Sequence, residues 1–542
     1  MGSVTHIYGY AFRNCTSLKN VTIPATVVEF GDYVFFGSGL ENINVPSKVA
    51  KLGKAVFNAC ENLATLTIDG ANTTYMVYDN KAVVETATAT IVSVFNLSGD
   101  YTLPEGVSIA GYALNGATLG TVTLPDTLTT LPNYALYGLA ATKVVLGTGL
   151  TTLPTSVFAY TNIDTIVLGA EEVAVGSNAF ENSTIQTIEN SENIVSIASN
   201  AFKNCKNLAT ISLSDKLLKI DSNAFTLSGL TSIVIPGSVE CLGTYSTTST
   251  TSGSVFKDCE NLTSITLNEG LETICDSAFV GTAITSITIP STVTRMGINI
   301  CKDVTTLKNA SVLCNGLNNN MFNGCTGLES VQLSQNVTKI PNYTFANCTS
   351  LATIDLPNGI TEIGTYAFQN CTSLTQIKLP DELVTIQTSA FANTGLTSVQ
   401  IPSKVKNIFG SAFMDCANLV SVVLNEGLET LGTISTGGNP TGNVFKNCVN
   451  LETITLPKSL QSIGSFTFQN CNKIKSLVIY EDCITIGDSA FAGWTSDQKV
   501  YVIASLYDIT GYWYEMVSSS SFKGYWTGTE AEFVFEYNES SK

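Results

Sequence analysis

The residues with the most evident chemistry in this 542-residue chain are its fifteen cysteines. Ten of them, Cys15, Cys60, Cys205, Cys259, Cys325, Cys348, Cys371, Cys416, Cys448 and Cys471, stand three residues after a recurring Phe or its equivalent. Many follow Asn, as in NCTSLATIDLP at 347–357. A thiol beside a carboxamide could be a nucleophile with a helper, half of a disulfide framework or a metal ligand. Asn14, Asn347 and Asn370 also head Asn-Cys-Thr triplets, which match a glycosylation acceptor. Catalysis uses one nucleophile activated by a base, so ten thiols at a fixed period describe a structural slot instead. His6 is the only histidine, which removes histidine triads and histidine metal sites as central features. No phosphate-binding loop, nucleophile elbow or calcium loop is written. The carboxylate pairs Glu171-Glu172 and Glu481-Asp482 read as solvated loop charge. The sequence therefore predicts no enzyme, no catalytic or metal residues and no cofactor.

What must position the thiols is a repeat. Phe12, Phe35 and Phe57 are 23 and 22 residues apart, and Phe180, Phe202, Phe225, Phe322, Phe345, Phe368, Phe391, Phe413, Phe445, Phe468 and Phe491 continue the spacing. About twenty units follow the pattern AFxNCxSLTSITLPxxVTxIGxx, with Ile300 or Cys301 in one degenerate slot. The L-x-x-L-x-L part is a strand, and the Pro that often follows suits a strand end because it cannot donate to a ladder. One unit cannot bury its apolar positions alone, but stacked units share a continuous core. The expected fold is an α/β-class leucine-rich-repeat solenoid, mostly β and irregular with little helix, with a parallel sheet on its concave face. The ten thiols then form a ladder of small buried hydrophobes, and the preceding Asn, where present, satisfies backbone groups at the turn. Cys241, Cys275, Cys301, Cys314 and Cys483 lie off the ladder. Of these, Cys301 and Cys314 share the degenerate unit and are the pair best placed for a bridge.

The phrases AFQNCTSLTQIKLP (367–380) and IGSFTFQNCNKIKSLVI (463–479) resemble the BspA-type leucine-rich repeats of bacterial and protozoan surface proteins. The resemblance runs from Val4 to about Val502. It divides the chain into repeats over 1–71, a hairpin-like insert at 72–113 and repeats over 114–493. Serine- and threonine-rich loops interrupt the last stretch at 243–254 and 432–443, and an aromatic-rich C-terminal cap covers 494–542. The resemblance implies a secreted or surface-exposed binding module that adheres to protein or glycan ligands on host or neighbouring cells. It supplies no catalytic motif. The alternative is a rigid spacer within a larger surface protein.

Composition agrees with such a setting. A formal charge of −18 repels phosphate backbones and anionic membranes. No apolar run is long enough to span a bilayer. The start VTHIYGYAF aligns with ITEIGTYAF at 360–368, so the chain reads as opening inside a unit, with export information expected upstream. A monomer is expected, because a capped solenoid buries its own core.

Outward strand positions are mostly Thr and Ser, which suit any exposed strand. One block differs: Gln332, Asp355, Lys378 and Gln400 fall in one column of consecutive units, with Gln376 beside Lys378. These longer polar side chains, together with Trp513 and Trp526 near the C-terminus, are the candidate partner-binding residues.

Overall fold

The computed structural model describes residues 4–245, 252–432, 442–480, 482–483, 485–504 and 529–537. It is a parallel β-solenoid of about 21 turns. Among the described residues the helical content is a single 3-10 turn, Ser191–Asn193. The chain divides into two compact units, Met1–Leu271 and Glu272–Lys542.

In both units the apolar-polar alternation of the repeat becomes strand. Ser232–Ile235 in the first unit and Ser286–Ile289 in the second run exposed, buried, exposed, buried, as period-2 patterning requires. The register between turns is that of the sequence repeat. In the first unit Thr121 pairs with Lys143, Lys143 with Thr165 and Thr165 with Thr187. Equivalent positions therefore superpose into columns.

A second, narrower ladder accompanies the first and was not expected from the sequence. It consists mainly of two-residue strands at the apolar step before the Phe. In the second unit Lys339–Ile340, Glu362–Ile363, Thr385–Ile386, Asn407–Ile408, Thr430–Leu431, Ser462–Ile463 and Thr485–Ile486 form one seven-stranded parallel sheet. The Gly that often follows this step permits close contact between turns. A Cβ on Gly364 would lie 2.8 Å from the backbone nitrogen of Asn342.

Between the narrow ladder and the next wide strand the chain turns a corner built on two left-handed residues flanking the Phe. Around Phe368 these are Tyr366 (φ 58°) and Asn370 (φ 62°). The corner N–H groups point along the stack: Tyr366, Phe368 and Asn370 donate to the carbonyls of Thr388, Ala390 and Ala392 at 3.0, 2.8 and 2.9 Å. The backbone is thus satisfied from turn to turn, as buried polar groups require.

The Phe rings stack inside. Phe158, Phe180, Phe202, Phe225 and Phe256 follow one another at 5.0–5.5 Å between centroids. From Phe322 to Phe491 the second unit continues at 5.3–5.9 Å. Fully burying such a ring contributes about 1.5–3 kcal/mol, with about 0.5–1.5 kcal/mol more for each aromatic pair.

Within the first unit an antiparallel hairpin, Tyr75–Tyr78, Ala82–Glu85 and Thr90–Val94, interrupts the turns. The wholly buried Asn58 fixes it in place. Its amide nitrogen donates to the carbonyls of Ala113 (2.7 Å) and Asn115 (3.0 Å), and its oxygen accepts from Ser93 Oγ (2.6 Å) and the Val94 N–H (3.2 Å). One side chain thereby joins the turn before the hairpin, the hairpin and the turn after it.

Candidate functional site

The corner determines what the Asn-Cys pair does. Asn occupies the second left-handed position, which it tolerates better than most residues. Its side chain reaches the next Asn along the stack rather than the local backbone. Asn370 donates to Asn347 Oδ1 (2.7 Å), Asn393 to Asn370 (2.9 Å) and Asn470 to Asn447 (2.7 Å). With their amide nitrogens engaged in this column, Asn347 and Asn370 are half-buried.

The cysteine that follows turns inward and donates to the carbonyl of the Phe one turn earlier. Cys60, Cys205, Cys259, Cys348, Cys371, Cys416, Cys448 and Cys471 bond the carbonyls of Phe35, Phe180, Phe225, Phe322, Phe345, Phe391, Phe413 and Phe445 at 2.9–3.2 Å. Cys325 does the same to the carbonyl of Cys301, which stands in the Phe slot of its turn. None of the fifteen cysteines is in a disulfide, Cys301 and Cys314 included. Burial pushes the thiols of Cys205, Cys325, Cys371 and Cys471 up to about 12, and those of Cys259 and Cys416 to about 11. Thiolate is therefore scarce, and these groups are poor nucleophiles. One expectation needs correction. Cys15, read as a buried ladder member, is exposed, because no earlier described turn packs beneath it.

The same slot takes other donors. In other turns it holds Ser38, Ser183 or Ser228, each within 3.3–4.0 Å of the next cysteine sulfur. At the end of the second unit Trp494 takes the role: it is buried, and its Nε1 donates to the Phe468 carbonyl at 2.9 Å.

The predicted polar block lies on four successive turns. Gln332 and Gln400 sit exposed on Ser330–Leu333 and Ser398–Ile401. Asp355, Gln376 and Lys378 are exposed on the two intervening turns, which carry no wide-ladder strand. No side-chain hydrogen bond or ion pair joins these five among the described residues. Trp513 and Trp526 lie outside the described residues, as do half of the first loop and most of the second. At the first loop Thr244 and Ser252 close the base through reciprocal backbone bonds of 2.8 and 3.1 Å. No group of three or more His, Cys, Asp or Glu able to hold a metal occurs among the described residues. No described helix is long and apolar enough to cross a membrane.

What the structure assembles instead is an aromatic strip along the corner of the first unit. The first left-handed position carries Tyr10 (φ 63°), Tyr33 (φ 56°), Tyr112 (φ 67°) and Tyr134 (φ 64°). Tyr10 stacks on Tyr33 at 5.4 Å and Tyr112 on Tyr134 at 4.9 Å. Tyr33 meets Tyr112 edge-on at 6.3 Å, passing over the turn where Ala55 holds that slot (φ 47°). Phe36, Tyr137 and Tyr160 widen the strip, at 5.5 Å from Tyr33, 5.0 Å from Tyr112 and 5.4 Å from Tyr137 respectively. Its two ends are open: Tyr10 is 55% and Tyr160 57% exposed. Two exposed cations lie on it. The Arg13 guanidinium is 5.5 Å from the Tyr10, Tyr33 and Phe36 rings, and Lys54 Nζ is 4.7 Å from the Tyr112 ring. Burial, then the neighbouring tyrosines and Asp32, push the Tyr33 phenol up to about 12, so it stays a hydrogen-bond donor at neutral pH. Beside the strip is a cleft of about 350 Å³ lined by Cys60, Glu61, Phe95, Asn96, Gly116 and Thr118. A Cβ on Gly116 would come within 2.9 Å of the Phe36 ring, so strip and cleft adjoin.

Sequence reasoning passed over this strip. The signal was present as Tyr two residues before the core residue in four turns, ahead of Phe12, Phe35, Leu114 and Leu136.

The model of the BspA type leucine rich repeat region (6 copies) matches residues 2–86, 96–174, 141–252, 173–308, 246–352, 338–435 and 441–524. No curated protein matches the chain. Among solved structures, a leucine-rich repeat protein from Bacteroides ovatus is 20% identical, with 76% of this chain and 93% of that one covered and a TM-score of 0.47. A leucine rich cell surface protein from Faecalibacterium prausnitzii is 19% identical, over 76% and 93%, with a TM-score of 0.30. The pneumococcal vaccine antigen PcpA is 16% identical, over 86% and 99%, also at 0.30. The family model reaches nearly every turn of the solenoid, and the chain belongs to the BspA type leucine-rich repeat family.

Proposed function

We propose that this chain is a surface-displayed, non-catalytic binding module that adheres to a protein on a host or neighbouring cell through the corner strip of its first unit. The observation that carries this reading is the strip itself. Four tyrosines occupy left-handed backbone positions where Asn or Ser stands in other turns of the same unit, as at Asn178, Asn200 and Ser156. A bulky residue there costs on the order of 1 kcal/mol, and none of the four rings enters the core; Tyr33, Tyr112 and Tyr134 are half-buried against their neighbours at the surface. Tyrosine at this exposure suits recognition, where its rigid amphipathic ring is favoured.

A binding panel of extracellular-matrix proteins, host-cell surface proteins and glycans, run with the full chain, tests the proposal. Binding to a protein that Tyr33→Asn and Tyr134→Asn weaken supports it. Uniform absence of binding would favour the spacer reading, for which the turn-to-turn hydrogen bonding of the corners within each unit is the supporting observation.

A further inference from the structure

Resting on that reading, we infer that the strip of the first unit takes an extended, acidic polypeptide segment, held by Arg13 and Lys54 over the tyrosines. Charge is the first argument. The chain carries a formal charge of −18, and its cations are commonly neutralised from a neighbouring turn, as Lys19 is by Glu41 and Lys51 by Glu29. Arg13 and Lys54 have no carboxylate within ion-pair distance among the described residues; their contacts are with ring faces. Asp32, beside the strip, directs an oxygen at the Lys54 backbone N–H (2.9 Å) rather than at its ammonium. A guanidinium resting on aromatic rings keeps its outward N–H groups for a ligand carboxylate.

Ring geometry selects the ligand class. Tyr10 and Tyr33 cover each other's faces at an interplanar angle of 14°, as do Tyr112 and Tyr134. Sugar rings need open aromatic faces, and here the faces between paired rings are occupied. Open rings are left only at the two ends, Tyr10 and Tyr160, so the length between them is better matched by the backbone amides and side chains of a polypeptide. Length agrees. Strand-like spacing of about 4.8 Å per turn gives the strip a length on the order of 20 Å, the reach of about six extended residues.

The test selects a random heptapeptide library against the full chain and re-measures synthetic copies of the enriched peptides. The expected peptides carry at least two Asp or Glu. They should bind about tenfold more weakly to the Arg13→Gln/Lys54→Gln double variant and lose affinity as salt rises. Tyr33→Asn/Tyr134→Asn should weaken them similarly; Asn is native to this backbone position at Asn178 and Asn200, and circular dichroism checks that the variants fold. Enriched neutral peptides that still need the tyrosines would overturn the acidic assignment and leave the binding role of the strip intact. Peptides indifferent to all four substitutions, or no enrichment at all, would overturn the strip as a polypeptide site, while the matrix and cell-surface panel still decides whether the chain binds elsewhere. Oligogalacturonate binding that requires Arg13 and Lys54, without any peptide binding, would assign the cations to acidic glycans instead.

Discussion

The corners of the two units share a backbone and differ in what they show to solvent. In the first unit the first left-handed position is Tyr in four turns, and those rings touch one another across the hairpin insert. In the second unit the position is Asn or Ser at Asn299, Asn320, Ser389 and Ser411, and tyrosines meet only as the pair Tyr343 and Tyr366 among the described residues, at 4.7 Å. There the outer decoration is the Asn column that follows the Phe. The conformation and the turn-to-turn bonds are alike in both, so the fold does not ask for tyrosine. The difference separates what stacks the solenoid from what is displayed on it.

The largest expected effect tests the stacking side. Phe368→Ala, which opens a cavity between two stacked rings, should destabilise by about 3–5 kcal/mol, read as a lower urea midpoint. Tyr134→Asn at the corner should change stability by no more than about 1 kcal/mol. Equal losses would mean that the strip is structural after all. Asn58→Ala should cost about 2–4 kcal/mol by leaving two buried carbonyls, a hydroxyl and an N–H unmet, although Asn58 is not part of the strip. Next comes the thiol slot, where the first unit uses serine in several turns and the second mostly cysteine. Cys371→Ser keeps a donor in the slot, where Thr394 bonds the carbonyl of its own Phe391, and should cost less than Cys371→Ala, by about 1 kcal/mol. In native protein, iodoacetamide should modify Cys15 first, then the half-buried Cys241, and the buried ladder thiols only after unfolding; mass spectrometry of digests reads the order.

The smallest effect is electrostatic. Hydrogen bonds from Lys339 and then Gln387 hold the Glu362 carboxyl below its usual range. Its folded value lies below its unfolded one, so the stabilisation is full above the unfolded value and is lost as pH falls through the folded one. At this exposure it amounts to a few tenths of a kcal/mol, and a Lys339→Met variant should flatten the acid limb of the stability profile by that amount.

The period, the strand positions and the inward Phe and Cys columns were legible because burial imposes one residue class on each slot. Three features were not. The narrow ladder uses two-residue strands, too short to show alternation. The Asn column depends on side chains meeting one turn on, whereas the sequence suggested local turn chemistry. The tyrosine strip faces solvent, where no burial pattern marks it, and Tyr33 reaches Tyr112 only because the chain between them leaves the stack and returns. The candidate polar block at Gln332 to Gln400 was read from a column that the structure leaves without strand pairing at Asp355 and Lys378.

The way the sulfurs are used bears on where such a molecule can be made and work. Sulfur here contributes hydrogens to carbonyls and makes no covalent link between turns. Assembly thus requires no oxidant, and a reducing medium has no bridge to cut. A coil fastened in this manner can mature inside a cell and keep its shape outside, the same on both sides of the redox boundary.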